Sequence, residues 1–212
     1  MAVGWTSRFR QLLVDIAGRA APSHGYPLTA VQAAEGRLGV KLSTPLRDYY
    51  LSVGRHKLNR VHNRLLPPDS LFVSSGRLVF LEENQEVVYW GVRSRSPAAD
   101  PVVFQATDLD EGPWVAESPC SQFLLAMLCW QAVSGGLPHV GYSERIKPDT
   151  ARQLTEGWPL AGRIGELSAF ARKGQVLCVL LEGKSALVQF GTRNRREFQA
   201  LVSELGIPIH EA

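Results

Sequence analysis

The chain has 212 residues, 45% of them hydrophobic and 20% charged, with a formal net charge of +3. That is ordinary for a soluble globular protein, long enough for one well-buried domain, and too nearly neutral for a whole-molecule nucleic-acid binder. The charge is nevertheless unevenly spread: residues 1–81 carry 11 basic and 4 acidic side chains, residues 82–117 carry 2 and 8, and residues 118–212 carry 10 and 8. The acidic segment runs from Glu82, Glu83 and Glu86 through Asp108, Asp110 and Glu111. It reads either as a solvated loop face or as a steering patch for a basic partner.

In chain order, Phe9, Leu12, Leu13, Ile16 and Ala20 form an apolar stripe that predicts a helix over Ser7–Ala20, broken by Pro22–Pro27. Its apolar run is interrupted by Asp15, so no secretory signal is expected and the location is read as cytoplasmic. Thr29 and Gln32 fit the capping box of a second helix with Val31, Ala34 and Leu38 inside, closed by a left-handed Gly39. Thr44 as N-cap and Pro45 at the first helical position open a third, which buries Leu46, Tyr49, Tyr50 and Val53 and ends at Gly54. Arg55–Arg64 is a basic loop, solvated by default, with a phosphate or RNA contact as the alternative. His56 and His62 within it have no acidic or thiol companion and the wrong spacing for a metal site.

Residues 76–101 are the organising stretch: a strand Arg77–Leu81, a turn at Glu83-Asn84, a strand Gln85–Val92, then Asp100-Pro101 leading into a strand Val102–Gln105. Asn84 suits a turn that calls for positive φ. The near-continuous apolar runs predict a sheet covered on both faces. Pro113-Trp114-Val115 is a short strand or its lead-in, and Ser118-Pro119 is read as the cap of a long helix ended by Gly135-Gly136. That helix is apolar around most of its circumference, yet Phe123–Val133 is far short of the roughly 20 residues a membrane span needs. It is therefore expected in the core, covered on several sides. Pro138–Pro159 reads as loop. Three strands follow at Leu167–Ala171, Val176–Leu181 and Ala186–Phe190, then a helix capped by Asn194. This C-terminal βββα unit, about residues 160–212, is expected to extend the first sheet or to pack on it.

The sequence offers little catalytic chemistry. Gly183-Lys184-Ser185 lacks the first P-loop glycine and leads into a strand, and Asp108–Gly112 lacks the ligands of a calcium loop. No H-E-x-x-H, G-x-S-x-G or G-x-G-x-x-G occurs. Cys120 and His139 could be nominated as nucleophile and base, against the plainer reading of a core thiol. Cys120, Cys129 and Cys178 are odd in number and scattered, as free buried thiols in a reducing compartment would be. Glu82 and Glu83, adjacent on a strand, point to opposite faces and cannot share a proton.

Taken together, A-A-E-x-x-L-G-V-x-L…P-L-R-D-Y-Y…G within Ala30–Gly54, L-L-P at Leu65–Pro67, the Gly76–Val92 hairpin, D-P-V-V, a tryptophan at Trp114 and S-Q-F-L-L-A-M-L at Ser121–Leu128 resemble the SUKH superfamily. That family contains bacterial immunity proteins against polymorphic toxins and a fungal regulator of cell-wall synthesis. The resemblance covers Leu28–Val133. It would make Glu35, Leu38, Gly39, Gly54, Asn84, Trp90, Asp100, Pro101 and Trp114 structural landmarks. Ser43-Thr44-Pro45 and Val53 depart from the family's pattern.

The fold expected is α+β and single-domain over 1–212. N-terminal helices pack on a mainly antiparallel sheet with a long core helix, and the βββα extension follows. The resemblance implies a non-enzymatic protein-binding module without metal or cofactor: an immunity protein that binds a cognate toxin directly, or a regulatory scaffold of the same fold. No nucleic acid or membrane partner is expected. The partner surface is expected at Glu82, Glu83, Glu86 and Tyr89, with Asp108, Asp110 and Glu111.

Overall fold

A computed structural model describes residues 4–110 and 112–211; Glu111, one of the expected partner residues, lies outside them. Helix α1 (Trp5–Ala17) buries Phe9, Leu12, Leu13 and Ile16. It ends earlier than the sequence suggested because Gly18 turns left-handed at φ 83° and donates its N–H to the Val14 carbonyl. Helices α2 (Leu28–Leu38) and α3 (Thr44–Ser52) pack as a helical hairpin. Their first residues differ from the expectation: Pro27 and Ser43 are the N-caps, neither helix start has a side-chain cap, and Thr29 and Thr44 lie inside the helices. Glu35 supplies the missing fastening. Its buried carboxylate accepts the Leu42 N–H at 3.0 Å and pairs with Lys41 Nζ at 3.2 Å, which clamps the α2–α3 connection. From α3, Tyr49 Oη donates to Asn59 at 2.5 Å and Tyr50 Oη to the Leu66 carbonyl at 2.7 Å, which pins the chain leading to the first sheet.

That sheet is antiparallel, in the order β1 (Asn63–Leu65), β3 (Arg77–Glu83), β4 (Tyr89–Arg93), β5 (Val102–Ala106), β6 (Val115–Pro119), with β2 (Phe72–Ser74) also on β3. The hairpin is where it was expected, but its second arm begins at Tyr89, not Gln85. The residue at positive φ in the turn is Glu86, at 60°, rather than Asn84. A bulge between Val79 and Leu81 lets Phe80 and Leu81 both face inward, where Phe80 and Trp90 meet Phe123. Both faces of β3 are covered, as its apolar run predicted.

Helix α4 (Cys120–Gln131) is capped from an unexpected place. Asp100 accepts the Ser121 N–H at 2.9 Å and its hydroxyl at 2.6 Å, while the Pro101 carbonyl accepts the Cys120 N–H at 2.8 Å. Ser118-Pro119 instead closes strand β6. The Asp-Pro landmark thus acquires a physical role, since it sets a carboxylate at the positive end of the core helix.

The C-terminal part builds a second antiparallel sheet, which shares no strand pairing with the first, in the order β12 (His210–Glu211), β7 (His139–Ile146), β11 (Ser185–Thr192), β10 (Gln175–Glu182), β9 (Leu167–Arg172), β8 (Leu160–Ile164). Pro138–Pro159, expected as loop, contains the inner strand β7 and helix α5 (Pro148–Leu154). The texture misleads because β7 carries Gly141, where a Cβ would lie 2.9 Å from Phe190 and 3.2 Å from Phe198. Helix α6 (Arg195–Leu205) is capped by Asn194 as expected, and Phe198 stacks on Phe190 at 5.4 Å.

The layers are therefore sheet, helices, sheet and helices. Helix α4 lies between the two sheets and is buried on nearly every side. Strand β8 approaches it so closely that a Cβ at Gly162 would collide with the Gln122 carbonyl oxygen and lie 2.8 Å from the Ala126 nitrogen. The second cluster, with Trp158, Phe170, Val188, Phe190, Phe198 and Leu201, fills the space between the second sheet and α5 and α6.

Candidate functional site

The acidic residues expected to form one partner surface are distributed over different faces. Directly paired residues of neighbouring strands share a face. Arg64, Glu82 and Tyr89 are paired across β1, β3 and β4 and lie on the side of the first sheet away from α4. Glu82 is only 5% exposed and forms an ion pair with Arg64, which also reaches Glu86 at 3.2 Å. Glu82 is thus an ion-paired, nearly buried carboxylate rather than a free one. Tyr89 sits beside the same group, and burial with the charges of Glu86 and Glu82 holds its hydroxyl above the ordinary pKa. Asp108 and Asp110 belong to a loop anchored by Ser74 and Ser75, which both donate to the Leu109 carbonyl. That anchor is at the Arg77 end of β3, opposite the end that bears Glu82 and Glu83.

Glu83 points the other way, as adjacency on a strand requires, and lines a depression of about 350 Å³ between the two sheets. Its floor is apolar and aromatic: Trp90, Met127, Trp130, Ile164, Leu167 and Leu180. Around it stand Glu83, Glu117 of β6 and Glu166 of the β8–β9 turn, with His62 and Gln105, and no lysine or arginine lines it. Each part is held. Trp90 Nε1 donates to Gln105 at 3.2 Å, and the His62 ring stands edge-on to Trp130 at 6.4 Å. The buried Gln131 accepts the His62 and Asn63 N–H groups at 2.9 Å and donates to the Asn63 carbonyl at 2.5 Å. Glu83 accepts the Gln85 N–H at 2.8 Å. Burial pushes the Glu117 carboxyl above its usual pKa, so its ionised form is short of solvation.

An aromatic floor under unneutralised carboxylates suits an organic cation, an arginine or lysine side chain above all. Glu83 and Trp90 were legible as candidates or landmarks. Glu117, Glu166 and Trp130 were not singled out, because strands distant in sequence bring them together only in the folded chain.

The other nominated chemistry is not assembled. Cys120 is fully buried with its Sγ 4.0 Å from Ser43 Oγ, and burial drives its thiol far above the ordinary pKa. The His139 ring faces Phe198, and no hydrogen bond joins it to Cys120. All three cysteines are free and buried, as their spacing suggested. Among the described residues no group of three His, Cys, Asp or Glu side chains could hold a metal ion, and no helix is long and apolar enough to cross a membrane. The basic loop is broken up: Arg64 pairs with Glu82 and Arg60 reaches Tyr26 Oη at 3.3 Å, while Arg55, His56 and Lys57 turn to another cleft. Set against protein-family models, curated proteins and solved structures, the chain matches none.

Proposed function

We propose that this chain is a SUKH-type, non-enzymatic binding module of the cytoplasm, an immunity protein that neutralises a cognate polymorphic toxin by direct contact. The observation that carries the reading is the depression between the sheets, an aromatic floor ringed by Glu83, Glu117 and Glu166 with no lysine or arginine. A basic segment of the toxin would seat one cationic side chain over Trp90 and Trp130, and the surrounding carboxylates would steer its approach. Neutralisation is then occlusion: fast, charge-guided association followed by slow release. The resemblance supports the same class, since its Asp100 and Glu35 act here as the cap and clamp that position the core helix and the helical hairpin.

The test is recovery of a partner from the native host, followed by affinity measurement on Glu83→Lys, Glu117→Lys and Glu166→Lys in combination. The expected result is a basic toxin domain bound at least about 100-fold more weakly by the triple variant, with a reduced salt dependence. Unchanged affinity overturns the proposed surface. Recovery of a non-toxin regulatory protein at the same surface favours a scaffold of this fold.

A further inference from the structure

A second depression, about 480 Å³, lies where the end of α1, the segment before α2, the chain after α3, the chain after α4 and the β11–α6 connection meet. Its charged and titratable lining is entirely basic: Arg19, His24, Arg55, His56, Lys57 and Arg193. Among the described residues none of these makes an ion pair within 4.0 Å. Four permanent cations around one cleft repel one another unless an anion is placed among them, and the repulsion grows where the walls thin the solvent.

The histidines make the cleft more specific than a basic surface. Their rings meet at 4.6 Å, edge to face. His24 Nδ1 accepts the Ala21 N–H at 3.1 Å, and His56 Nδ1 accepts the Leu58 N–H at 3.3 Å. An imidazole whose Nδ1 is an acceptor keeps its proton on Nε2 when neutral. In its neutral form each ring therefore offers an Nε2–H donor without adding charge. Burial comes first among the causes, then the neighbouring cations, and together they lower His56 to about 4 and depress His24 in the same direction. Arg193 lines the cleft from the β11–α6 connection. Its backbone N–H is tied to the Gly174 carbonyl, and its Nε is buried without a hydrogen-bond partner. Glu197, in the first turn of α6, approaches the same Gly174 turn with its Oε2 likewise buried and without a hydrogen-bond partner, but lies outside the cleft lining.

We propose that this cleft binds a small phosphate-bearing anion, held by Arg193, Arg55, Arg19 and Lys57 and oriented by the Nε2–H groups of His24 and His56. Forked guanidinium donors match the tetrahedral oxygens of a phosphate, and the volume admits a molecule of nucleotide size. The site is separate from the acidic depression and needs no toxin, so it stands or falls independently of the immunity reading.

The experiment is titration of the full chain at pH 7 and fixed ionic strength, with inorganic phosphate in one arm and a nucleoside monophosphate in the other. It is followed by calorimetry and by the carbon-bound proton resonances of the five histidines. Saturable binding that moves His24 and His56 but leaves His139 and His210 in place is expected. Arg193→Ala and, as an exposed alternative that leaves folding untouched, Lys57→Ala should each weaken it about 10-fold, with Lys184→Ala as an unaffected control. Equal affinity in the two arms identifies the phosphate group alone as the determinant, and tighter nucleotide binding places its organic part in the cleft. Unsaturable shifts in both arms, or equal weakening by Lys184→Ala, overturn the site.

Discussion

Two depressions flank the C-terminal end of α4, and the short segment Leu58–Asn63 contributes residues to both. One is acidic over an aromatic floor, and the other is wholly basic around a histidine pair. A net charge of +3 describes neither, because it is the residue of two opposed local fields. The difference also separates two ways of storing unfavourable electrostatics. In the acidic depression the strain sits on a carboxylate deprived of water, whereas in the basic cleft it sits on mutual repulsion and on rings kept from protonating. Each arrangement is relieved by a ligand of the opposite sign. Function can therefore be read from the same groups that cost stability.

The most severe way to break the comparison is to remove one depression while keeping the other. Gly162→Val drives a branched side chain into the α4 backbone and forces the second sheet away, opening the wall formed by Ile164–Leu167. A loss of about 3 kcal/mol in urea unfolding is expected, at the upper end of overpacking costs. A gentler test uses acid. His56 in the unfolded chain binds its proton at the ordinary value of 6.5, but in the folded chain only near 4. Between those values the unfolded state holds more protons, so stability is fully present above pH 6.5 and falls as the pH drops toward 4. The loss attributable to this ring is about 1–3 kcal/mol, and His56→Gln should flatten it in unfolding curves collected across that window. Glu117 has the opposite sign. Its folded pKa is raised, so its contribution is more favourable in acid and is eroded as pH rises. Glu117→Gln should therefore hold or raise stability at pH 7 by up to about 0.5 kcal/mol while it weakens binding of the proposed basic partner. That pairing, stability kept and affinity lost, marks a residue retained for binding.

Much of the fold was legible where local chemistry is strong. The stripe of α1, the Gly39 cap, the Asn194 cap and the apolar strands of the central hairpin all report themselves through spacing and turn residues. The failures share a different cause. The cap of α4 comes from Asp100, 21 positions away from Ser121, and no local pattern announces it. Strand β7 reads as loop because Gly141 is chosen for the rings above it, not for strand propensity. The proposed binding surface fared likewise. Glu82 looked like an exposed turn acid, yet pairing with Arg64 on the neighbouring strand buries it, while Glu83 alone reaches the depression. Alternation along β3 foretold that the two glutamates part company; which one faces a cavity depended on a second sheet that the sequence placed only loosely.

Helix α4 carries the last consequence. It is roofed by one sheet and floored by the other, and its buried leucines, phenylalanine and cysteines belong to a core that both sheets share. Strip away the second sheet and the helix keeps only half its cover, so a chain cut after the helix would present a greasy rod to water. The boundary suggested by resemblance, ending near Val133, is therefore not an energetic boundary. A cut near Val133 would divide the core that the two sheets share.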